Sequence, residues 1–258
     1  MSQVRQETEP PSTSDFALAD QASSPGRERL LRSDRLRGSG RAGSTPMNPE
    51  RWMLLGAIAF MVFLLDTVLI YSHRVDRLDL RIHHDYINFF GTAGTRVLAT
   101  LTLNPVGSHG EFFALEIACF VLAIGGWLLA QRRVRSAFVL LAAILGALGL
   151  EYVLKTIIKR PGPALNSYDA GLRTFPSGHT TVGVTFFLAG AYLVSRAAPV
   201  RLRAAILVSG VVLALGIVMS AMTFHLPTEV VGGIALACLW VAVLLPLSDQ
   251  FTEPPVEE

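Results

Sequence analysis

Six apolar segments dominate this chain and leave it few choices of fold. They run over roughly 52–72, 112–131, 137–158, 179–197, 204–224 and 229–247. Each is close to the ~20 residues an α-helix needs to cross the hydrocarbon core of a bilayer. That core holds no water to satisfy backbone N–H and C=O groups, so segments of this length must be helical. The composition agrees: 51% of the 258 residues are hydrophobic and the mean hydropathy is +0.46, a better fit to an integral membrane protein than to a soluble globule. The fold class expected is all-α, a six-transmembrane-helix bundle.

Charge placement orients the spans. Arg27, Arg29, Arg32, Arg35, Arg37, Arg41 and Arg51 precede the first; Arg132, Arg133 and Arg135 separate the second and third; Arg196, Arg201 and Arg203 separate the fourth and fifth. The positive-inside rule makes these regions and both termini cytoplasmic, so loops 73–111, 159–178 and 225–228 face outward. The first outer loop also carries Arg74, Arg77, Arg81 and Arg96, which weakens the bias there. Within that loop, residues 76–90 place apolar side chains at helical spacing and read as an interfacial amphipathic helix. The location expected is the bacterial plasma membrane.

The ends differ in composition. Residues 1–48 are rich in Ser, Pro, Gly, Arg and Glu and carry too few apolar groups to form a core, so disorder is expected. No apolar core follows the early arginines as a secretory signal requires, and Met47 is an alternative start. The membrane domain is taken as 49–247 and the short acidic tail as 248–258. Cys119 and Cys238 lie in apolar runs and read as inert core residues. No Cys/His cluster has metal-ligand spacing.

Against this hydrocarbon background, three polar patterns stand out. Pro176-Ser177-Gly178-His179 opens the fourth span. A helix N-terminus offers unpaired N–H groups and partial positive charge, which suit a phosphate. Gly178 permits close approach, Ser177 adds a hydroxyl, and His179 is placed to donate a proton to a leaving oxygen. His225 ends the fifth span and Glu229 begins the sixth, so the carboxylate can hold one imidazole nitrogen and leave the other to attack. Lys155, Lys159 and Arg160 end the third span with cations on the outer side, where the charge rule disfavours them and a phosphate ligand would explain them. They include both lysines among the 22 basic residues. Glu151, one turn before Lys155, is placed for an i,i+4 ion pair. Taken singly, each pattern also fits a plain interfacial cap or a snorkelling cation. The topology puts His179 and His225 on one side, which their spacing did not require.

Together the three patterns resemble the type-2 phosphatidic acid phosphatase superfamily, the lipid phosphate phosphatase group related to vanadium haloperoxidases. That family carries Lys-x6-Arg-Pro, Pro-Ser-Gly-His and Ser-Arg-x5-His-x3-Asp in this order. The resemblance spans roughly residues 50–247 and implies six spans with an outward-facing site. It implies that Ser177 and Gly178 bind phosphate, that His179 is the general acid, that His225 is the nucleophile forming a phosphohistidine, and that Lys155 is the lysine of the first motif. The sequence departs from the pattern in three places. Counting from Lys155, Gly162 stands where the first motif has arginine, and taking Arg160-Pro161 as the pair instead puts Val153 at the lysine position; Val218 and Met219 stand where the third has Ser-Arg, and Glu229 where it has aspartate. Charge-assisted hydrogen bonds contribute ~1.5–3 kcal/mol each, so two missing arginines would cost about 3–6 kcal/mol if uncompensated. In the transition state that is roughly two to four orders of magnitude in rate. Arg160, Arg173 and Lys159 are near enough in sequence to substitute.

The function expected is hydrolysis of a lipid phosphate or diphosphate at the outer membrane face, through a phosphohistidine and without metal or other cofactor. Expected catalytic residues are His225, His179 and Glu229; expected substrate-binding residues are Lys155, Ser177, Gly178, Arg160 and Arg173. The partners are a lipid phosphate and the bilayer, with no nucleic acid. The alternative is a catalytically impaired relative that binds a phospholipid or serves as a partner subunit. A transporter built on Asp66, Glu116 and Glu151 is weaker, since no paired broken helices accompany them. His83 and His84 are read as interfacial.

Overall fold

The computed structural model describes residues 48–101, 111–160 and 173–250. The Arg-rich segment 1–47, the Gly162 position and the acidic end of the chain lie outside the described residues. The described residues form seven α-helices and contain no β-strand: α1 (Pro49–Tyr71), α2 (Asp76–Leu101), α3 (Glu111–Ala130), α4 (Val134–Ile158), α5 (Gly178–Ala197), α6 (Val200–Ala221) and α7 (Pro227–Gln250). Five of them, α1, α4, α5, α6 and α7 as far as Leu247, are long and apolar enough to cross a membrane. The second expected span coincides with α3, a 20-residue helix. The expected interfacial segment is the start of α2, a 26-residue helix running on to Leu101.

Local sequence sets the helix ends. Asn48 caps α1, its side chain accepting from the Glu50 N–H at 3.1 Å, and Pro49 follows at a position where no N–H is needed. Helix α4 ends on Lys159 in the left-handed conformation (φ 53°), with its N–H on the Lys155 carbonyl. Ser177 caps α5, and Pro227 starts α7 with Glu229 in its first turn.

Helices α5 and α7 are central. Of their most apolar windows 61% and 50% are buried, against 22–28% for α1, α4 and α6. Helix α5 packs on α4, α6 and α7, and α7 also packs on α1. The buried residues of α5 include, beside Phe186 and Leu193, the small and hydroxyl residues Thr180, Thr181, Gly183, Thr185 and Gly190, which let neighbouring backbones approach closely in a bilayer. The outer helices instead expose Met53, Met61, Leu65, Leu122, Phe138 and Val208. Such surface is suited to lipid tails rather than water.

One close approach matters for the site. A Cβ on Gly233 of α7 would lie 2.8 Å from Thr180 Cβ and 2.9 Å from the Ser177 carbonyl oxygen. Both contacts are too short for carbon, and the second is with backbone that cannot swing aside. Gly233→Ala should therefore push α7 off the start of α5 and cost about 1–3 kcal/mol of stability, read as a lower unfolding temperature in detergent.

Candidate active site

The site forms where three chain segments meet: the start of α5, the turn between α6 and α7, and the end of α4. Ser177 is fully buried. Its Oγ accepts from the Thr180 N–H at 3.3 Å and from the Thr180 hydroxyl at 3.1 Å, while its carbonyl accepts from Thr181 N and Oγ1, both at 2.9 Å. Its own N–H donates to the Glu229 carbonyl at 2.9 Å, which ties α5 to the first turn of α7.

After α6 ends at Ala221, the backbone turns on itself, with Phe224 N and His225 N both donating to the Ala221 carbonyl. This turn carries His225 over the start of α7. Glu229, only 1% exposed, is saturated from three directions. Its Oε2 accepts from the Leu226 N–H at 3.2 Å and faces His225 Nδ1 at 3.2 Å, and its Oε1 accepts from the Thr174 hydroxyl. The Leu226 bond is half of a capping box, in which the third residue of a helix reaches back to the cap N–H. The carboxylate faces Nδ1, so the other ring nitrogen of His225, Nε2, is directed away from Glu229. That Nε2 lies 3.5 Å from His179 Nδ1, with ring centroids 5.7 Å apart. The structure thus brings His225, Glu229 and His179 into one chain of contacts.

The cations are arranged differently. Lys155 Nζ pairs with Glu151 Oε1 at 2.5 Å, the i,i+4 partner expected from sequence. Glu151 in turn lies against Gly178, where an added Cβ would stand 2.6 Å from Oε1. Arg160 is buried, with Nη1 donating to Thr228 Oγ1 at 2.6 Å and Nη2 to Asp79 Oδ2 at 3.0 Å; Asp76 Oδ1 is 3.5 Å from Nη2. Arg173 is exposed four residues before Ser177, and Lys159 is exposed at the end of α4. Asp66 of α1 is buried against Gly232 and Phe175, and its Oδ2 has no hydrogen-bond partner among the described residues.

Sequence reasoning missed the contribution of α2. Asp79, His83 and Tyr86 lie along one helical face, at i, i+4 and i+7. Asp79 accepts from Thr228 N at 3.1 Å and from the Thr228 hydroxyl, beside Glu229. The Tyr86 hydroxyl donates to the Met219 carbonyl at 2.7 Å. His83, read from sequence as interfacial, is buried with its ring toward the backbone carbonyls of Met222 and His225, whereas His84 is exposed. The available signal was the amphipathic stripe itself, whose polar members point inward rather than to a headgroup layer.

Residues 136–253 match the model of the PAP2 superfamily. The resemblance to type-2 phosphatidic acid phosphatases holds over this stretch. It contains Lys155, Ser177, His179, His225 and Glu229, and leaves α1 and α2 outside. The fold is similar to the crystal structure described as the first transmembrane PAP2-type phosphatidylglycerolphosphate phosphatase from Bacillus subtilis, with a TM-score of 0.64 and 20% identity, covering 77% of this chain and 98% of that one. At that identity the likeness is one of fold. A comparison with curated proteins finds no match. The brace from α2 to the PAP2 stretch therefore rests on residues that the family match does not include.

Two measurements test that brace. Asp79→Ala leaves the buried Arg160 guanidinium, among the described residues, with only Thr228 and the more distant, partly exposed Asp76, and since losing one partner of a buried pair costs up to about 3–5 kcal/mol, thermal unfolding in detergent should shift down. Burial lowers the His83 pKa below its usual 6.5, against the raising effect of the Met222 and His225 carbonyls. As pH falls through 6.5 the unfolded chain then gains a proton there before the folded one, so stability is lost on the acid side and unaffected above. His83→Gln should flatten this acid-side decline in a pH series of unfolding temperatures.

Proposed function

We propose that this protein is a membrane phosphatase acting on a lipid phosphate or diphosphate through a phosphohistidine on His225. The observation that carries the reading is the contact chain Glu229–His225–His179 at the start of α5. A phosphoryl group enters between the two rings, which part to admit it. The Nε2 lone pair of His225 forms the N–P bond as the bond from phosphorus to the leaving oxygen breaks. His179 gives that oxygen a proton. Glu229 stabilises the positive charge that develops on the His225 ring through Nδ1. Water then attacks phosphorus, giving its proton to His179, and the N–P bond breaks to restore both histidines.

Lys155, Ser177 and the amide of Gly178 are assigned to the phosphoryl oxygens, where the α5 N-terminus adds favourable partial charge. Arg173 stands nearby as a further candidate. Arg160 has both Nη groups on Thr228 and Asp79, so its role is assigned to positioning the turn that carries His225. Charge neutralisation falls to side chains and a helix terminus, so chelators should leave the rate unchanged. The site is proposed to face outward, on the charge distribution of the loops.

A second reading, phospholipid binding without turnover, draws on the pairing of Lys155 and Arg160 with carboxylates. The test is phosphate release from a panel of lipid phosphates in detergent, with isotopic labelling of the enzyme. The wild type should release phosphate and carry an acid-labile label. His225→Ala should do neither, and His179→Ala should be slower by about 10²–10⁴-fold. Turnover by His225→Ala at the wild-type rate would refute the mechanism; lipid binding with no release from the wild type would favour the second reading.

A further inference from the structure

The proposed phosphate cradle contains a carboxylate that phosphoryl transfer does not use. Glu151 lies one turn before Lys155 on α4, and its Oε1 is 2.5 Å from Lys155 Nζ. The same oxygen lies against Gly178, close enough that a Cβ there would sit at 2.6 Å from Oε1 and 3.0 Å from Cδ. Gly178 is the first residue of α5, directly after the capping Ser177 and before His179. Glu151 therefore lies beside both Gly178 and Lys155, the two groups assigned to the phosphoryl oxygens. Its exposure is low, with the carboxylate-bearing side chain at 14%, so water screens its charge only in part.

Lys155 is the cation paired with this anion, and the exposed Arg173, shortly before α5 in the sequence, is the further candidate. Arg160, the buried cation at the end of α4, is matched by Asp79 and Asp76. Met219 occupies a position on α6 at which the resemblance leads one to expect arginine, and residues 161–172 contain neither lysine nor arginine. A ligand entering the cradle must share Lys155 with Glu151 or displace it. Repulsion from a fixed carboxylate grows in proportion to the ligand's charge. A phosphoryl group with two negative charges is opposed twice as strongly as one with a single charge.

We infer that Glu151 is a specificity-determining residue that tunes the phosphate site to singly charged phosphoryl groups, as in a phosphodiester or a protonated monoester, over dianionic ones. The inference rests on the proposed phosphoryl site. Glu151 acts by competing for Lys155 and by placing negative charge at the start of α5, where the helix terminus would otherwise favour the more highly charged anion.

The test measures binding to the full chain in detergent, by calorimetry, with methyl phosphate and dimethyl phosphate as probes. At about pH 8, well above the second phosphate pKa of about 6, the first carries close to two charges and the second one. Glu151→Gln should tighten methyl phosphate about tenfold and dimethyl phosphate about threefold or less, as expected from a Coulombic penalty proportional to charge. Glu151→Asp, which keeps the charge, should retain the wild-type ratio of the two affinities, and Glu151→Ser should repeat the Gln result if the amide itself is not responsible. Equal gains for both probes, no gain, or weaker binding by Glu151→Gln would overturn the inference and leave Glu151 as a residue that merely orients Lys155. Phosphate release by the wild type in the same preparation would then keep the phosphatase reading intact. Binding of neither probe to any variant, together with no phosphate release from the wild type, would overturn the phosphatase reading and this inference with it.

Discussion

The candidate site depends on one buried carboxylate. Glu229 is almost wholly enclosed where α7 begins, and a charge there is tolerable only if its lone pairs are taken up. Three segments supply the partners: Thr174 from the strand of chain before α5, His225 from the end of the α6–α7 turn, and the Leu226 N–H of the helix cap. The Glu229 carbonyl also accepts the Ser177 N–H. One residue thereby joins the Ser177–Gly178 turn to the histidine, and the orientation of His225 follows from the need to satisfy Glu229.

Helix α2 extends that arrangement outward. Asp79 meets Thr228, the neighbour of Glu229, and draws in Arg160 from the end of α4. Tyr86 holds the last turn of α6 by the Met219 carbonyl, and His83 lies buried beside it on the same face of α2. A short turn between two membrane helices has few bonds of its own, so outside contacts are what restrict its motion. The polar face of α2 fills this role, and a cation expected at the phosphate becomes part of the frame.

The same geometry recasts the arginines that the family pattern leads one to expect. Cations beside a phosphate are useful only to the extent that nothing else neutralises them. In this chain Lys155 and Arg160 each have a carboxylate partner in place. The electrostatics of the cradle thus depend as much on Glu151, Asp76 and Asp79 as on the basic residues.

Much was legible without coordinates. Long apolar segments allow only helices in lipid, and five described helices have the length and composition to cross a membrane. The Ser177 cap, the Glu151–Lys155 pair and the His225–Glu229 pair are local, three or four residues apart, so short-range spacing and helix-end geometry suffice to suggest them. What periodicity could not reveal is which face of an amphipathic helix meets protein and which meets the headgroup layer. For that reason the sequence pattern reads 76–90 as an interfacial helix and His83 as interfacial, although Asp79 and His83 are buried. The 3.5 Å approach of His179 to His225, the passage of Arg160 to Asp79 and the placement of Glu151 against Gly178 join residues 27 to 81 positions apart in the chain. Contacts of that kind are set by how α5 and α7 pack, through residues as small as Gly233, and only the tertiary structure decides them.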